Sequence, residues 1–178
     1  MLLRALFASA CLTLAAPASA DKGLFTADGY RANLYRSPTP AHAPPAQTVD
    51  TVQLQALLQQ VPPPLLIDVY KRPWLHGQFI DTEPHANLPA SHWLANTGDG
   101  ALDSAWATYF SRHLQRLSQG DKQRAVVFYC RSDCWLSWNA VKRANALGYA
   151  RLYWYRDGLD AWEAAGLPVH PATPEAFP

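Results

Sequence analysis

From Val126 the chain reads Val-Val-Phe-Tyr-Cys-Arg-Ser-Asp-Cys-Trp-Leu-Ser-Trp, an apolar, β-branched and aromatic run that meets a helical pattern within four residues. A short continuous apolar run fits a strand buried on both faces. The pattern behind it places Leu136, Ala140, Val141, Ala144 and Leu147 at helical spacing until Gly148 stops it. A strand passing directly into a helix that packs back on its sheet calls for parallel neighbours covered on both faces. Cys130 then sits at the hand-over from strand to helix. Free N–H groups and the positive dipole end of the helix favour an anion there, which pushes a thiol toward the reactive thiolate. Ser132 and Asp133 are the N-cap candidates. A buried strand-end cysteine is also ordinary packing, so position alone leaves the chemical and structural readings even. The second cysteine, Cys134, moves the balance.

The first twenty residues carry one positive charge at Arg4, an apolar stretch from Ala5 to Ala16, and Ala18-Ser19-Ala20, a small-x-small cleavage pattern. They predict a signal peptide cut after Ala20 and a secreted or periplasmic protein. The apolar stretch is short for a membrane span, and no other segment approaches one, so no span is expected after cleavage. Loss of Arg4 balances the fifteen Lys and Arg against the fourteen Asp and Glu. That balance excludes the charge signature of a nucleic-acid or membrane-surface binder. Cleavage also removes Cys11, leaving Cys130 and Cys134 as the only cysteines in an oxidising compartment. They can pair with each other, with another molecule, or not at all.

The chain divides into the signal peptide (1–20), a Pro/Ala-rich arm or linker (21–47), one domain (48–171) and a tail (172–178). The arm contains Ser37-Pro38-Thr39-Pro40 and Pro44-Pro45, cannot hold a helix, and is expected to drape on the domain through Leu24, Phe25, Tyr30 and Tyr35. A short helix over Thr51–Gln60 ends at Pro62-Pro63-Pro64. A buried strand follows at Leu65–Tyr70, with Asp68 near its end, and a second short strand at Ser91–Leu94. A helix runs from about Asp103 to Leu117, with Trp106, Phe110, His113, Leu114 and Leu117 as its apolar stripe. After the cysteine-bearing helix come a strand at Leu152–Tyr155, a turn at Asp157-Gly158 and a short helix with Ala161, Trp162 and Ala165. Alternating strands and helices predict an α/β domain, a mostly parallel sheet with helices on both faces in three layers.

Leu66-Ile67-Asp68-Val69, Leu88-Pro89-Ala90, Val126 to Ser132, and Gly148-Tyr149 through Asp157-Gly158-Leu159-Asp160-Ala161-Trp162 to Gly166-Leu167-Pro168-Val169 together resemble the rhodanese-like family over about residues 48 to 170. Cys130, Cys134 and Trp135, with Ser137-Trp138-Asn139-Ala140 behind them, are similar to the exported rhodanese-like proteins associated with pyrroloquinoline-quinone (PQQ)-dependent alcohol catabolism. The resemblance implies that Cys130 attacks a sulfane sulfur, becomes a persulfide and passes the sulfur to a thiophilic acceptor. It also implies a loop whose N–H groups aim at the sulfur and stabilise its anion. Arg131 is then the ligand for an anionic donor such as thiosulfate. The chain departs from the family where Trp135 stands in place of a common Arg, Asp133 in place of a common Gly, and Tyr70 in place of the Arg of Asp-Val-Arg. A carboxylate beside the sulfur opposes an anionic donor and disfavours a thiolate.

Four residues apart around a loop-to-helix turn, two Cα atoms can lie within the ~4.4–6.8 Å disulfide window. Cys134 is therefore read as a resolving thiol for a Cys130 persulfide, or as half of an exchanging pair; a small buried side chain is the bland alternative. Trp135 is expected to line the site and Trp138 to join the core. Trp74 and His76 follow the Asp68 strand, where functional loops of parallel sheets gather. Asp68 is read as a structural acceptor, and Lys142 and Arg143 as a solvated face. His85, His92 and His113 show no ligand spacing with the cysteines, so neither a metal nor a cofactor is predicted. The expected activity is sulfur transfer with a small sulfur donor or a thiol-containing protein. The alternatives are thiol–disulfide exchange serving a periplasmic PQQ-dependent dehydrogenase system, and a catalytically silent module that binds a partner.

Overall fold

The computed structural model describes residues 23–177; the expected signal peptide and Cys11 lie outside the described residues. Strands β1 (Gln47–Val49), β2 (Leu65–Asp68), β6 (Ser91–Trp93), β7 (Val126–Tyr129) and β8 (Leu152–Tyr155) form one sheet in the order β1-β8-β7-β2-β6. Every pair in it is parallel. Helices α1 (Thr51–Leu58), α2 (Ser104–Leu117) and α3 (Trp135–Ala146) make crossovers between its strands, and α4 (Gly158–Ala164) follows the last of them, β8. The α/β expectation of a mostly parallel sheet with helices on both faces is met.

Strand alternation sorts the core into two layers. Ile67, Val126, Phe128, Leu152 and Trp154 face α2 and α3, meeting Phe110, Leu114, Leu136, Ala140, Val141 and Ala144. Leu66, Val127, Tyr129 and Tyr155 face the other way, onto Leu54 of α1 and Leu159 and Trp162 of α4. The central strand β7 is buried along its whole length, which is why its sequence is continuously apolar rather than alternating.

Helix starts and stops follow side-chain chemistry where the sequence supplies it. Asp50 and Gln53 form a reciprocal capping box on α1, and the Asp103 carboxylate accepts the Trp106 amide at the start of α2. Gly148 ends α3 at φ 88°, the left-handed conformation that glycine adopts without a Cβ penalty. At the start of α3 the expectation fails. Cys134 is the N-cap, with no side-chain hydrogen bond, and Ser132 and Asp133 lie before it in the loop.

Three small pairings escaped the sequence reading. These are the edge strand β1, a hairpin of β3 (Trp74–Leu75) and β4 (Gln78–Phe79), and the antiparallel contact of β5 (Ala86–Asn87) with β9 (His170–Pro171). Residues 23–46 form no helix. They run as an extended strap with isolated bridges, one of which joins Arg36 to Cys134.

Candidate active site

Cys130 follows β7 directly and Cys134 opens α3, so the loop between them occupies the carboxyl edge of the sheet, where open α/β sheets present their functional loops. The two cysteines are joined by a disulfide with Cα atoms 6.2 Å apart, and each is 1% exposed.

Two neighbours shape the loop. Gly158, at φ 56°, brings the start of α4 against the Cys130 carbonyl, where the Leu159 amide donates at 2.9 Å. A Cβ on Gly158 would stand 2.8 Å from the Cys130 carbonyl carbon, so only glycine permits this approach. Two residues on, Asp160 accepts from Arg131 (2.8 Å), the Ser132 amide (3.0 Å) and the Ser132 hydroxyl (2.8 Å). Burial raises the Asp160 carboxyl, but the Ser132 hydroxyl, the Arg131 guanidinium and the Ser132 amide more than offset it, so its pKa falls below the usual carboxylate value. Burial lowers Arg131, and its bond to Asp160 outweighs that, leaving its pKa raised.

The loop amides therefore differ from the expected anion cradle. The Ser132 amide is given to Asp160, and the Trp135 amide, the first of α3, donates to the carbonyl of Tyr35 in the strap at 2.9 Å. The positive end of α3 is capped by main chain of the strap. Arg131, expected as a donor ligand, is committed to Asp160 and lies over the Tyr70 ring at 5.4 Å.

Asp133 has φ 49°, in the left-handed region that glycine enters without a Cβ penalty. Its carboxylate is half-exposed and turned to the strap. It accepts the Thr39 amide at 3.2 Å and stands 3.9 Å from Arg156. Trp135 lies beneath the strap, with the Phe25 ring edge-on at 5.5 Å, the Arg31 guanidinium over it at 4.7 Å, and its Nε1 donating to Ser37. Trp138 is half-buried against the core and donates to the His42 carbonyl.

The remaining candidates separate. Tyr70 reaches the loop through Arg131. Asp68 is buried, accepts the Tyr70 amide at 2.8 Å and pairs with His85 at 2.7 Å, an acceptor at the strand end. Trp74 belongs to an aromatic cluster with Phe79, Trp106 and Phe177. That cluster flanks a cleft of about 610 Å³ lined also by Lys71, Arg72 and Asp99, and none of the Cys130–Trp135 loop lines it. His76 takes φ 51° in the β3–β4 turn. Lys142 and Arg143 are not a solvated face. Lys142 binds the carbonyls of Asp28 and Gly29, and Arg143 those of Thr97 and Asp99. Among the described residues no cluster of three His, Cys, Asp or Glu side chains is placed to hold a metal ion.

Asp160, Asn139 and Arg31 were not picked out by sequence. Asn139 is buried in α3 and clamps the strap, accepting the Arg31 amide at 2.8 Å and donating to the carbonyls of Arg31 (2.7 Å) and Gly98 (2.8 Å). Its one signal is a polar residue on a helix whose flanking positions are apolar.

Comparison with curated proteins gives no match. Among solved structures the chain is similar to thiosulfate sulfurtransferase from Pseudomonas aeruginosa, with 14% identity, TM-score 0.51, 75% of this chain and 22% of that one covered. It is similar to an EanB variant in complex with hercynine, with 19% identity, TM-score 0.51, 76% of this chain and 34% of that one. It is also similar to the Alr3790 protein from Anabaena sp., with 19% identity, TM-score 0.50, 70% of this chain and 82% of that one. The chain thus spans about a third or less of the two longer proteins, and at these identities the likeness concerns the fold. The model of the rhodanese-like domain matches residues 51–165, most of the chain, with Cys130 and Cys134 inside the match. The chain belongs to the rhodanese-like domain family.

Proposed function

We propose that the protein carries sulfur on Cys130 and uses Cys134 to resolve it. The Cys130 thiolate attacks the sulfane sulfur of a small donor; the donor's S–S bond breaks with its electron pair leaving on the remainder of the donor, and Cys130 holds the sulfur as a persulfide. The Cys134 thiolate then attacks Cys130 Sγ, the persulfide bond breaks, hydrosulfide leaves, and the Cys130–Cys134 disulfide remains. Two electrons from a thiol-containing protein return the pair to the dithiol. The carrying observation is the disulfide itself, closed within the loop that joins β7 to α3 of a rhodanese-like domain. Export follows from the first twenty residues, and the Cys130, Cys134 and Trp135 motif is the basis for placing the protein beside a periplasmic PQQ-dependent alcohol dehydrogenase system.

A second reading, thiol–disulfide exchange without a persulfide, has its own support. The Ser132 and Trp135 amides and the Arg131 guanidinium, which an anionic donor would use, are already engaged. Intact mass of the protein purified without reductant, before and after cyanide and alkylation, separates the two. A gain of one sulfur that cyanide removes, lost in Cys130→Ser, supports the carrier. A two-hydrogen deficit with no added sulfur under any donor, and exchange that needs both cysteines, supports exchange alone. Partner binding indifferent to either substitution overturns both and leaves a binding module.

A further inference from the structure

The strap meets the disulfide through main chain. Trp135 N–H donates to the Tyr35 carbonyl at 2.9 Å and Ser37 N–H to the Asp133 carbonyl at 3.1 Å, which sets Arg36 opposite Cys134 in an antiparallel bridge. Bonds from the residues on either side, and none between Arg36 and Cys134 themselves, define the non-hydrogen-bonded type of pair, the one whose side chains stand closest. The two bonds ask nothing of the strap's side chains, so any extended segment with a free N–H at the Ser37 position can make them. Arg36 itself has a half-exposed side chain whose ion pair with Asp160 is a loose 3.7 Å. Both cysteines are 1% exposed, and they share a buried cluster with Ala43 and Ala46 of the strap, against which Tyr35 packs. A second thiol therefore reaches them by taking a place that the strap now fills.

We propose that the groove beside Asp133–Trp135 docks an extended, cysteine-bearing segment of a partner protein, that residues 35–37 are its resident occupant, and that the partner's thiol enters at Cys134. This rests on the reading of the pair as exchangeable. In the bound register the partner thiolate attacks Cys134 Sγ. The Cys130–Cys134 bond breaks with its electron pair leaving on Cys130 Sγ, and a mixed disulfide joins Cys134 to the partner. A second partner thiolate attacking the partner sulfur of that bond releases Cys134 as thiolate, so the partner leaves as a disulfide and the domain as a dithiol.

The full-length Arg36→Cys variant tests the register without disturbing either strap bond. After equilibration in a glutathione redox buffer, disulfide mapping by mass spectrometry should find the introduced thiol bonded to Cys134 and Cys130 open to alkylation. An introduced thiol left free beside an intact Cys130–Cys134 bond, or bonded to Cys130, overturns the proposal. Docking is tested with a synthetic peptide spanning positions 31–40 with cysteine at position 36, offered to the Ser37→Pro protein, whose strap has lost one N–H donor. It should form a mixed disulfide on Cys134 about tenfold faster than a peptide with cysteine at position 35, whose side chain alternates to the other face. Equal rates, or reaction at Cys130, overturn it. Glutathione exchange in the wild-type protein separates the two levels. Exchange that proceeds while the peptide shows no preference defeats the docking inference alone, whereas a pair inert to every thiol defeats the exchangeable-pair reading as well.

Discussion

Asp160 accepts both the amide and the hydroxyl of Ser132, at 3.0 and 2.8 Å, so the first turn of α4 holds the loop between the two cysteines from outside. The same carboxylate takes the Arg131 guanidinium. A loop that would otherwise be free to curl its amides around Cys130 is pinned at Ser132 by α4 and at Trp135 by the strap.

Replacing Asp160 with Ala should cost about 1 kcal/mol at neutral pH, a modest figure because the group is partly exposed and solvent screens it. Its folded pKa lies below its unfolded value, so its contribution is present above the ordinary carboxylate value of about 3.9 and is lost as pH falls through the lower, folded value. Urea denaturation of wild type and Asp160→Ala should show a gap at pH 7 that closes in strong acid. A gap that persists unchanged below that window would contradict this account.

Gly158→Ala forces a Cβ against the Cys130 carbonyl at a left-handed φ. The cost should be about 2–3 kcal/mol, seen as a fall in Tm of roughly 4–12 °C. Gly120→Ala serves as comparison, because its φ of 78° carries the same conformational penalty but its Cβ meets nothing within 4 Å. The difference between the two melting temperatures isolates the contact with Cys130.

Asn139→Ala leaves the Arg31 amide and the Arg31 and Gly98 carbonyls without their buried partner. We expect about 3 kcal/mol of destabilisation. Trypsin should cut at Arg31 or Arg36 faster than in wild type, with dithiothreitol reducing the disulfide faster in parallel. A strap that stays resistant while the disulfide opens faster would separate the clamp from the cover.

Reduction of Cys130–Cys134 frees a loop of few residues and should lower stability by about 2 kcal/mol. Both core layers are built mainly from other residues, around Phe128 and Trp154 on one face and Leu66 and Trp162 on the other, so the reduced protein should stay folded. Denaturant midpoints with and without reductant, followed by tryptophan fluorescence, measure this. A single unfolded species after reduction would show the disulfide to be the fold's main tether.

The strands at Leu65–Asp68, Val126–Tyr129 and Leu152–Tyr155 were legible as continuous apolar runs, and the helices at Ser104–Leu117 and Trp135–Ala146 as apolar stripes at helical spacing. Strands β1, β5 and β9 are two or three residues long and owe their form to partners distant in the chain, while β3 and β4 pair locally but are two residues each, too short to show an alternation. The position of Cys130 was readable for the first reason. The N-cap was misplaced for the second, since Ser132 serves Asp160 and the capping acceptor comes from Tyr35.

A parallel α/β domain with Cys130 at a strand-to-helix turn and a second thiol one turn on is readable from chain order, because apolar pattern and residue type are local properties of a chain. That the cysteines are joined, that Arg131 is given to Asp160, and that the strap lies over the loop with Arg36 across from Cys134 emerge only in the folded chain. The strap meets the loop through backbone amides and carbonyls about a hundred residues apart, groups that every residue carries, while the disulfide and the Arg131–Asp160 pair join side chains that only the fold brings within reach.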